Sequence, residues 1–282
     1  MKAVFSTPEG TVIRDADEPA PAPDEALVAV RAFSVNRGEL RLLAMRTNGW
    51  RPGQDVAGVV VEAAADGTGP PPGTRVAALI EGAGWSERAA VPTDRLAALP
   101  DEVSMEQAAA IPMAGLTALR TLRLGGDLLG RRVLITGANG GVGHLQVQLA
   151  ALAGARTTPV RDATTAPGGP YHLIAESVGG ASLAASIARV APGGTIVLFG
   201  MSSGEQTPIG LGDFIGHEGA RIVTSMSYVQ APPAEDLAVL AGLVAEGGLV
   251  PRLGFVEDWS KLPEALTALS ERRVPGKLVL TT

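Results

Sequence analysis

Residues 132–150 decide the fold of this chain, and they read RVLITGANGGVGHLQVQLA. The aliphatic run 132–136 predicts a buried strand, and a helical pattern begins at Gly143, after a cluster of glycines. Glycines permit a sharp turn and a close approach of the backbone to a phosphate, which the N-terminus of the next helix attracts. A strand, a glycine cluster and a helix in this order predict a dinucleotide site. The alternative is a tight turn without a ligand.

Helices and strands alternate on both sides of this segment. Predicted helices cover 113–124, 143–153, 182–190 and 234–246, and predicted strands cover 157–160, 173–176, 195–199 and 222–225. Such alternation is typical of parallel strands joined by helical crossovers. The tail adds a strand near 253–256, a helix over 262–271 and a final strand over 277–281.

The first 100 residues have a different pattern, with short strands separated by turns. Strands are predicted at 2–5, 26–32, 56–63, 76–80 and 88–91. This spacing predicts an all-β unit, a distorted barrel. Ser104 with Gln107 three positions later indicates a helix N-cap, where the pattern changes.

Composition excludes several classes of protein. The net charge is −6 and the pI about 5.2, so we expect no nucleic-acid partner. Apolar runs are too short for a membrane span or a signal peptide, which predicts a cytoplasmic protein with no membrane partner. We expect its substrate to be a small molecule. Cysteine is absent and the three histidines are scattered, so we assign no metal.

Arg161 lies 18 positions after Gly143, at the end of the next predicted strand. An acidic residue near this position binds the ribose hydroxyls of NAD, whereas an arginine suits the 2′-phosphate of NADP. Arg161 therefore favours NADPH as the cofactor. Asp162 could serve NAD instead, and a merely solvated Arg161 is the other alternative.

Several motifs resemble the medium-chain dehydrogenase/reductase superfamily, in its zinc-free quinone oxidoreductase (zeta-crystallin-like) branch. Besides the glycine segment, the matching stretches read SVNRGE at 34–39, GQDVAG at 53–58, PGTRV at 72–76, GWSE at 84–87, GLTA at 115–118, SVGG at 177–180 and GKLVL at 276–280. Together they cover nearly the whole chain. The resemblance implies a GroES-like substrate domain (1–112), a Rossmann NADP-binding domain (113–250) and a C-terminal return to the substrate domain (251–282). Hydride transfer would take place in the cleft between the two domains.

The resemblance also implies roles for individual residues. Asn36 matches an asparagine near the nicotinamide and the substrate carbonyl, although a turn-capping role is the alternative. Thr117 matches a threonine near the nicotinamide amide. The other implied cofactor contacts are Asn139, Gly140, Gly141, Val142, Gly143, Val178, Gly200 and Met201. A homodimer paired through the strand at 222–225 is expected as well.

The chain departs from the family pattern in three places. It lacks the cysteines of zinc-dependent members and a tyrosine that many quinone reductases carry, although Trp50 lies close in sequence. Trp50 would cover the substrate, or it is an ordinary wall residue of the barrel. Only nine residues, 162–170, separate Arg161 from the next strand, too few for a crossover with its helix and a further strand.

These features favour an NADPH-dependent, zinc-independent enzyme that reduces an enone, a quinone or a related activated double bond. An enoyl or keto reductase of natural-product biosynthesis is a close variant. The shortened connection and the missing tyrosine leave another hypothesis open. In it, the chain keeps the fold and acts as a cofactor-binding or structural protein without catalysis.

Overall fold

The computed structural model describes residues 1–226 and 232–282, and their contacts group into two units. One unit contains the described residues up to Leu116 and those from Pro232 onward, and the other contains 117–226. Residues 232–250 group by their contacts with the first unit, whereas the sequence-based boundaries assign them to the nucleotide domain. The functional boundaries at 112 and 250 stay a prediction.

The first unit is built mainly from antiparallel strands. A hairpin pairs β1 (Lys2–Thr7) with β2 (Gly10–Asp15). The main sheet contains β3 (Glu25–Val35), β4 (Asp55–Glu62), β5 (Arg75–Leu79), β6 (Arg88–Pro92), β7 (Leu96–Ala98), β13 (Leu253–Asp258) and β14 (Lys277–Thr281). Its order is β13-β14-β3-β4-β5-β7, with β6 paired to β3. The last two strands, β13 and β14, therefore join the sheet that contains β3 to β7.

The helices of this unit are α1 (Arg37–Met45), α2 (Met105–Ala110), α6 (Ala234–Ala245) and α7 (Leu262–Ser270). Helix α3 (Pro112–Arg123) contains residues of both units, because the boundary falls after Leu116. The predicted cap of α2 is confirmed, because Ser104 Oγ accepts from Gln107 N–H at 3.2 Å and Gln107 Oε1 accepts from Ser104 N–H at 3.0 Å. The motif at 34–39 suggests a turn, but α1 begins within it, at Arg37.

Aromatic packing fixes the core of the first unit. The rings of Phe33 and Trp85 stack with centroids 5.6 Å apart, and both side chains are fully buried. The indole N–H of Trp85 donates to the carbonyl of Ser34 at 3.2 Å. This contact holds the end of β3 in place, just before Asn36.

The second unit is a parallel sheet with helical crossovers, as predicted. Its strands are β8 (Arg132–Ile135), β9 (Arg156–Pro159), β10 (Tyr171–Glu176), β11 (Val190–Leu198) and β12 (Arg221–Thr224), with α4 (Gly143–Leu152) and α5 (Gly180–Ile187) between them. Their order is β12-β11-β10-β8-β9. The predicted fold class, a GroES-like β-barrel domain plus a doubly wound Rossmann sheet, is confirmed.

One predicted helix is too long at its C-terminal end. The sequence suggests a helix over 182–190, but α5 ends at Ile187 and Val190 already pairs with Tyr171 in the sheet. The glycines at 193 and 194 are typical of a turn. They instead lie inside β11, where a register irregularity between residues 171 and 173 of β10 accommodates them.

The shortened connection after β9 contains no strand, as predicted. Residues 162–170 form a single short 3-10 turn, Ala163–Thr165. Ala163 is fully buried and its N–H donates to Ser182 Oγ at 3.0 Å, so the turn packs onto α5. Consequently β9 forms one edge of the sheet, and β12 forms the other.

Among the described residues, no helix is both long and apolar enough to cross a lipid bilayer.

Candidate functional site: a nucleotide loop and a buried polar network

The glycine loop lies where the strand order of the parallel sheet reverses. From β8 the chain passes to its neighbour β9 and then crosses back to β10 on the other side of β8. The loops that follow β8 and β10 are joined, because Ser177 N–H donates to Thr136 Oγ1 at 2.8 Å. Ligands of open α/β sheets bind at such a switch point, outside the carboxyl ends of the strands.

The geometry of this loop requires glycine. Gly137 has a φ of +60°, and a Cβ on Gly143 would lie 2.3 Å from the carbonyl oxygen of Gly137. Among the described residues no side chain caps α4, so the N-terminus of this helix can attract an anion. The predicted cofactor contacts directly precede this helix. Asn139 and Gly140 are exposed, and Gly141 and Val142 are half-buried. The loop therefore fits a pyrophosphate.

Arg161 is held directly beside the glycine loop. Gly137 N–H donates to the Arg161 carbonyl at 2.9 Å, and Ala138 N–H donates to the Val160 carbonyl at 3.1 Å. The Arg161 side chain is exposed. Its neighbour Asp162 caps the following turn, because its Oδ1 accepts from Thr164 N–H at 3.0 Å. The arginine is free to meet a phosphate, whereas the aspartate is already engaged.

The loops after β10 and β11 bring the other predicted cofactor contacts together. Ser203 N–H donates to the Val178 carbonyl at 2.8 Å, and a Cβ on Gly200 would lie 2.9 Å from the Ser177 carbonyl oxygen. Met201 follows with 59% of its surface exposed. Val178, Gly200 and Met201 thus form one continuous edge next to the glycine loop.

Glu176, which no sequence motif singled out, fixes this edge. The carboxylate is fully buried, and Oε1 accepts from the N–H groups of Val178 at 2.7 Å and Gly179 at 3.0 Å. Oε2 accepts from the hydroxyls of Ser182 and Ser186, each at 3.0 Å. In the family pattern that SVGG at 177–180 resembles, an acidic residue lies two positions before the valine, and in this chain that position is Glu176. This match is the signal by which Glu176 could have been found.

On the first unit, Asn36 lies at the centre of a buried polar network. Its Nδ2 donates to Asp55 Oδ2 at 2.8 Å and more weakly to Glu39 Oε2 at 3.4 Å. Its Oδ1 accepts from Lys277 Nζ at 2.6 Å. Asn36 is also the N-cap residue of α1, which agrees with the alternative interpretation as a turn-capping residue.

Asp55 connects the members of this network. Its carboxylate is fully buried and accepts from Met113 N–H at 2.7 Å, from Lys277 Nζ at 3.2 Å and from the Ser34 hydroxyl. The geometry gives Asp55 a structural role. Lys277 lies in the matching stretch 276–280, but the sequence does not predict its contact with Asn36, because only the fold brings the two residues together.

Glu39 is the third ionisable residue of the network, after Asp55 and Lys277, and it is also fully buried. Its carboxyl group accepts from the N–H groups of Asn36 at 2.8 Å and Gln54 at 3.0 Å. Burial, reinforced by the nearby Asp55, raises the pKa of Glu39 to about 8 despite these donors and Lys277. Glu39 is therefore mainly protonated at neutral pH.

The remaining predicted residues are Trp50 and Thr117. Trp50 is half-buried, and the guanidinium carbon of Arg46 lies 5.1 Å from its ring centroid. Thr117 is buried in α3. Their roles toward a substrate and a nicotinamide stay predictions.

The described residues include no group of three or more His, Cys, Asp or Glu side chains that could hold a metal ion. The full sequence has no cysteine. Arg161 lies at the nucleotide loop of the second unit, and Lys277 lies in the polar network of the first unit.

Two family models match the chain. Residues 22–101 match the alcohol dehydrogenase GroES-like domain, and residues 151–280 match the zinc-binding dehydrogenase domain. The two segments together span most of the chain. A comparison with curated protein sequences gave no match.

Solved structures share the fold over the full length. Quinone oxidoreductase from Escherichia coli, complexed with NADPH, is 21% identical, with all of both chains covered and a TM-score of 0.88. Quinone oxidoreductase from Coxiella burnetii is 23% identical, with 100% of this chain and 99% of that chain covered and a TM-score of 0.85. A thermostable alcohol dehydrogenase from Pyrobaculum aerophilum is also 23% identical, with the same coverage and a TM-score of 0.86.

These likenesses show the fold, and quinone oxidoreductases and an alcohol dehydrogenase share it. The predicted resemblance to the quinone oxidoreductase branch is confirmed for the fold. With both domain models matched in order, the chain belongs to the medium-chain dehydrogenase/reductase superfamily of oxidoreductases.

Proposed function

We propose that this chain is an NADPH-dependent, zinc-independent reductase of an enone, a quinone or a related activated double bond. One observation carries the proposal: the glycine loop at the switch point is hydrogen-bonded to the backbone of Arg161. A pyrophosphate and a 2′-phosphate can be bound together there. The NADPH bound by the Escherichia coli quinone oxidoreductase, which has the same fold, supports this cofactor.

Arg161 would determine the cofactor preference. Its planar guanidinium can donate two parallel hydrogen bonds to the 2′-phosphate of NADPH, which NADH lacks. Oδ1 of Asp162 caps its own turn, which leaves only Oδ2 for the ribose hydroxyls of NADH. NADPH is therefore preferred.

The substrate would be polarised by hydrogen bonds. When bound, the reduced nicotinamide supplies a hydride to the substrate carbon, and negative charge develops on the substrate oxygen. A donor aimed at that oxygen stabilises the charge. One N–H of the Asn36 amide makes only a weak 3.4 Å contact, to Glu39, which is mainly protonated at neutral pH. Asn36 can therefore donate this N–H to the substrate oxygen. A backbone N–H is the alternative donor.

The donor set supports the proposed zinc independence. Oxidation of an alcohol requires ionisation of the hydroxyl, which zinc enzymes achieve by metal coordination. The sequence offers no thiolate, and the Asp55 carboxylate next to Asn36 already accepts from Asn36, Lys277 and Met113. An enone or a quinone needs only a neutral donor.

The binding half of the proposal is tested by titrating NADPH and NADH into the parent and the Arg161→Ala variant, followed by cofactor fluorescence. We expect the variant to bind NADPH about tenfold more weakly and NADH almost unchanged, because it loses a charge-assisted contact. Arg131→Ala is the matched control, since this exposed arginine precedes β8 at the opposite end of the strand. Equal affinities for NADPH and NADH in the parent would refute the assignment.

A second candidate is a cofactor-binding protein without turnover. The observation that favours it is the shortened connection after β9, which leaves only a 3-10 turn where the family has a helix and a further strand. NADPH binding without oxidation by any enone or quinone would support this candidate. The natural-product enoyl or keto reductase stays a variant of the first proposal.

We also propose the homodimer expected from the family. Its basis in this chain is β12, the strand that covers most of the predicted 222–225 segment and lies at an edge of the parallel sheet. Light scattering at micromolar concentration should give twice the monomer mass of 28.7 kDa. A monomeric mass would refute the proposal.

A further inference from the structure

Three arginines surround two aromatic rings on the surface of the first unit. The guanidinium carbon of Arg14 lies 3.9 Å from the Phe5 ring centroid, and that of Arg51 lies 5.9 Å from the same centroid. Arg46 lies over Trp50, as described above. We refer to Arg14, Arg46 and Arg51 as the arginine cluster.

Backbone hydrogen bonds join the two chain segments that carry these rings. Ser6 N–H donates to the Trp50 carbonyl at 2.8 Å, and Gly49 N–H donates to the Ser6 carbonyl at 3.0 Å. Arg14 extends across this junction, because a Cβ on Gly49 would lie 3.8 Å from its Nη2. The three cations therefore belong to one patch that includes Trp50.

The positive charge of the arginine cluster is not balanced by the protein. Among the residues that the structure describes, no acidic side chain forms an ion pair with any of its members. Other arginines of the same unit do find partners, such as Arg88 with Glu18 at 3.1 Å and Arg95 with Glu81 at 3.8 Å. In a chain with a net charge of −6, three neighbouring cations without a carboxylate point to an external anion.

Of the three arginines, Arg51 has the positive charge that is most poorly solvated. Its Nε and Nη2 are buried without a hydrogen-bond partner among the described residues, whereas Nη1 is not among the buried atoms. Burial lowers the pKa of Arg51, which shows that its charged form is poorly solvated. Buried donors without a partner are uncommon in folded proteins, and an anion beside the arginine cluster would offset the uncompensated charge of Arg51.

We propose that the arginine cluster binds a multiply charged phosphate group carried by the substrate. Guanidinium groups match phosphate oxygens with paired hydrogen bonds. The three arginines together carry more positive charge than a single carboxylate would neutralise. Trp50 and Phe5 provide apolar surface beside the anion. The assignment to the substrate rests on the proposed function, because Trp50 is the residue predicted to cover it.

The test is calorimetric titration with inorganic pyrophosphate, compared with acetate as a singly charged anion. The parent should bind pyrophosphate and show no binding of acetate. Arg51→Gln and Arg14→Gln should each weaken pyrophosphate binding about tenfold, since each removes a charged donor. Arg31→Gln, at an exposed arginine of β3 outside the cluster, should retain the parent affinity.

Three results would overturn the proposal: no pyrophosphate binding by the parent, equal binding of acetate, or loss of binding in Gly143→Ala while both cluster variants keep it. The last result would place the anion at the nucleotide loop. Arg14 is exposed, so its variant should fold even if Arg51→Gln does not. Pyrophosphate binding requires neither NADPH nor turnover, so this experiment and the test of the reductase proposal can fail independently.

Discussion

The buried carboxyl group of Glu39 should make the stability of this protein depend on pH. The informative change is Glu39→Gln, which keeps the shape of the side chain and cannot ionise. Glu39 lies among Asn36, Asp55 and Lys277, and burial raises its pKa from 4.5 to about 8. In the unfolded chain the carboxyl group regains its ordinary pKa, so the folded state binds one more proton between these two values.

The sign and the size of the effect follow from that difference. A raised pKa contributes stability that is fully present below pH 4.5 and is lost as the pH rises through about 8. Each pKa unit corresponds to about 1.36 kcal/mol, so the free energy of unfolding of the parent should fall by about 5 kcal/mol relative to Glu39→Gln over this range. Above about pH 8 the difference between the two proteins should become constant.

Urea denaturation at intervals from about pH 4.5 to about pH 9 measures this difference directly. Glu62→Gln is the control, because Glu62 is an exposed glutamate at the end of β4, and its profile should follow that of the parent. A parent-minus-variant difference that stays flat would refute the reasoning. A difference that grows with pH would mean that Glu39 is ionised and paired with Lys277.

Two further predictions concern the nucleotide loop and the polar network. Gly143→Ala should reduce NADPH affinity at least about tenfold, because the new Cβ would lie 2.3 Å from the Gly137 carbonyl oxygen. The control Gly242→Ala should retain the parent affinity, since that glycine has open space around it. Equal NADPH affinities of the parent and Gly143→Ala in a fluorescence titration would contradict the loop assignment. Asn36→Ala should lower kcat by about 10- to 100-fold with little change in NADPH affinity, since the Asn36 amide would act on charge formed in the transition state. A variant that loses cofactor affinity instead would show that Asn36 supports only the fold.

The local features of the fold and the site could be predicted from the sequence. The glycine loop, Gly143 at the start of α4 and the missing strand at 162–170 depend on neighbouring residues and on connection length, which the sequence displays directly. The position of Arg161 also follows from a fixed spacing within one strand–helix–strand unit.

The contacts between distant segments could not be predicted in this way. Lys277 reaches Asn36 across 241 positions, because β14 pairs with β3. The start of α1 depends on Glu39, which turns inward to accept from the Asn36 N–H and does not face solvent. The arginine cluster forms because two backbone hydrogen bonds place residues 49–50 beside β1. No periodicity in the sequence encodes these pairings.

The central claim is that the chain transfers hydride from NADPH to a polarised double bond without a metal. Stopped-flow absorbance of the reduced nicotinamide, recorded with EDTA present, tests it most directly. NADPH is mixed with enones or quinones, and in the reverse direction NADP⁺ is mixed with simple alcohols. We predict rapid oxidation with at least one enone or quinone and no reduction of NADP⁺ by the alcohols. Alcohol oxidation that EDTA abolishes and zinc restores, without any enone or quinone reduction, would contradict the claim.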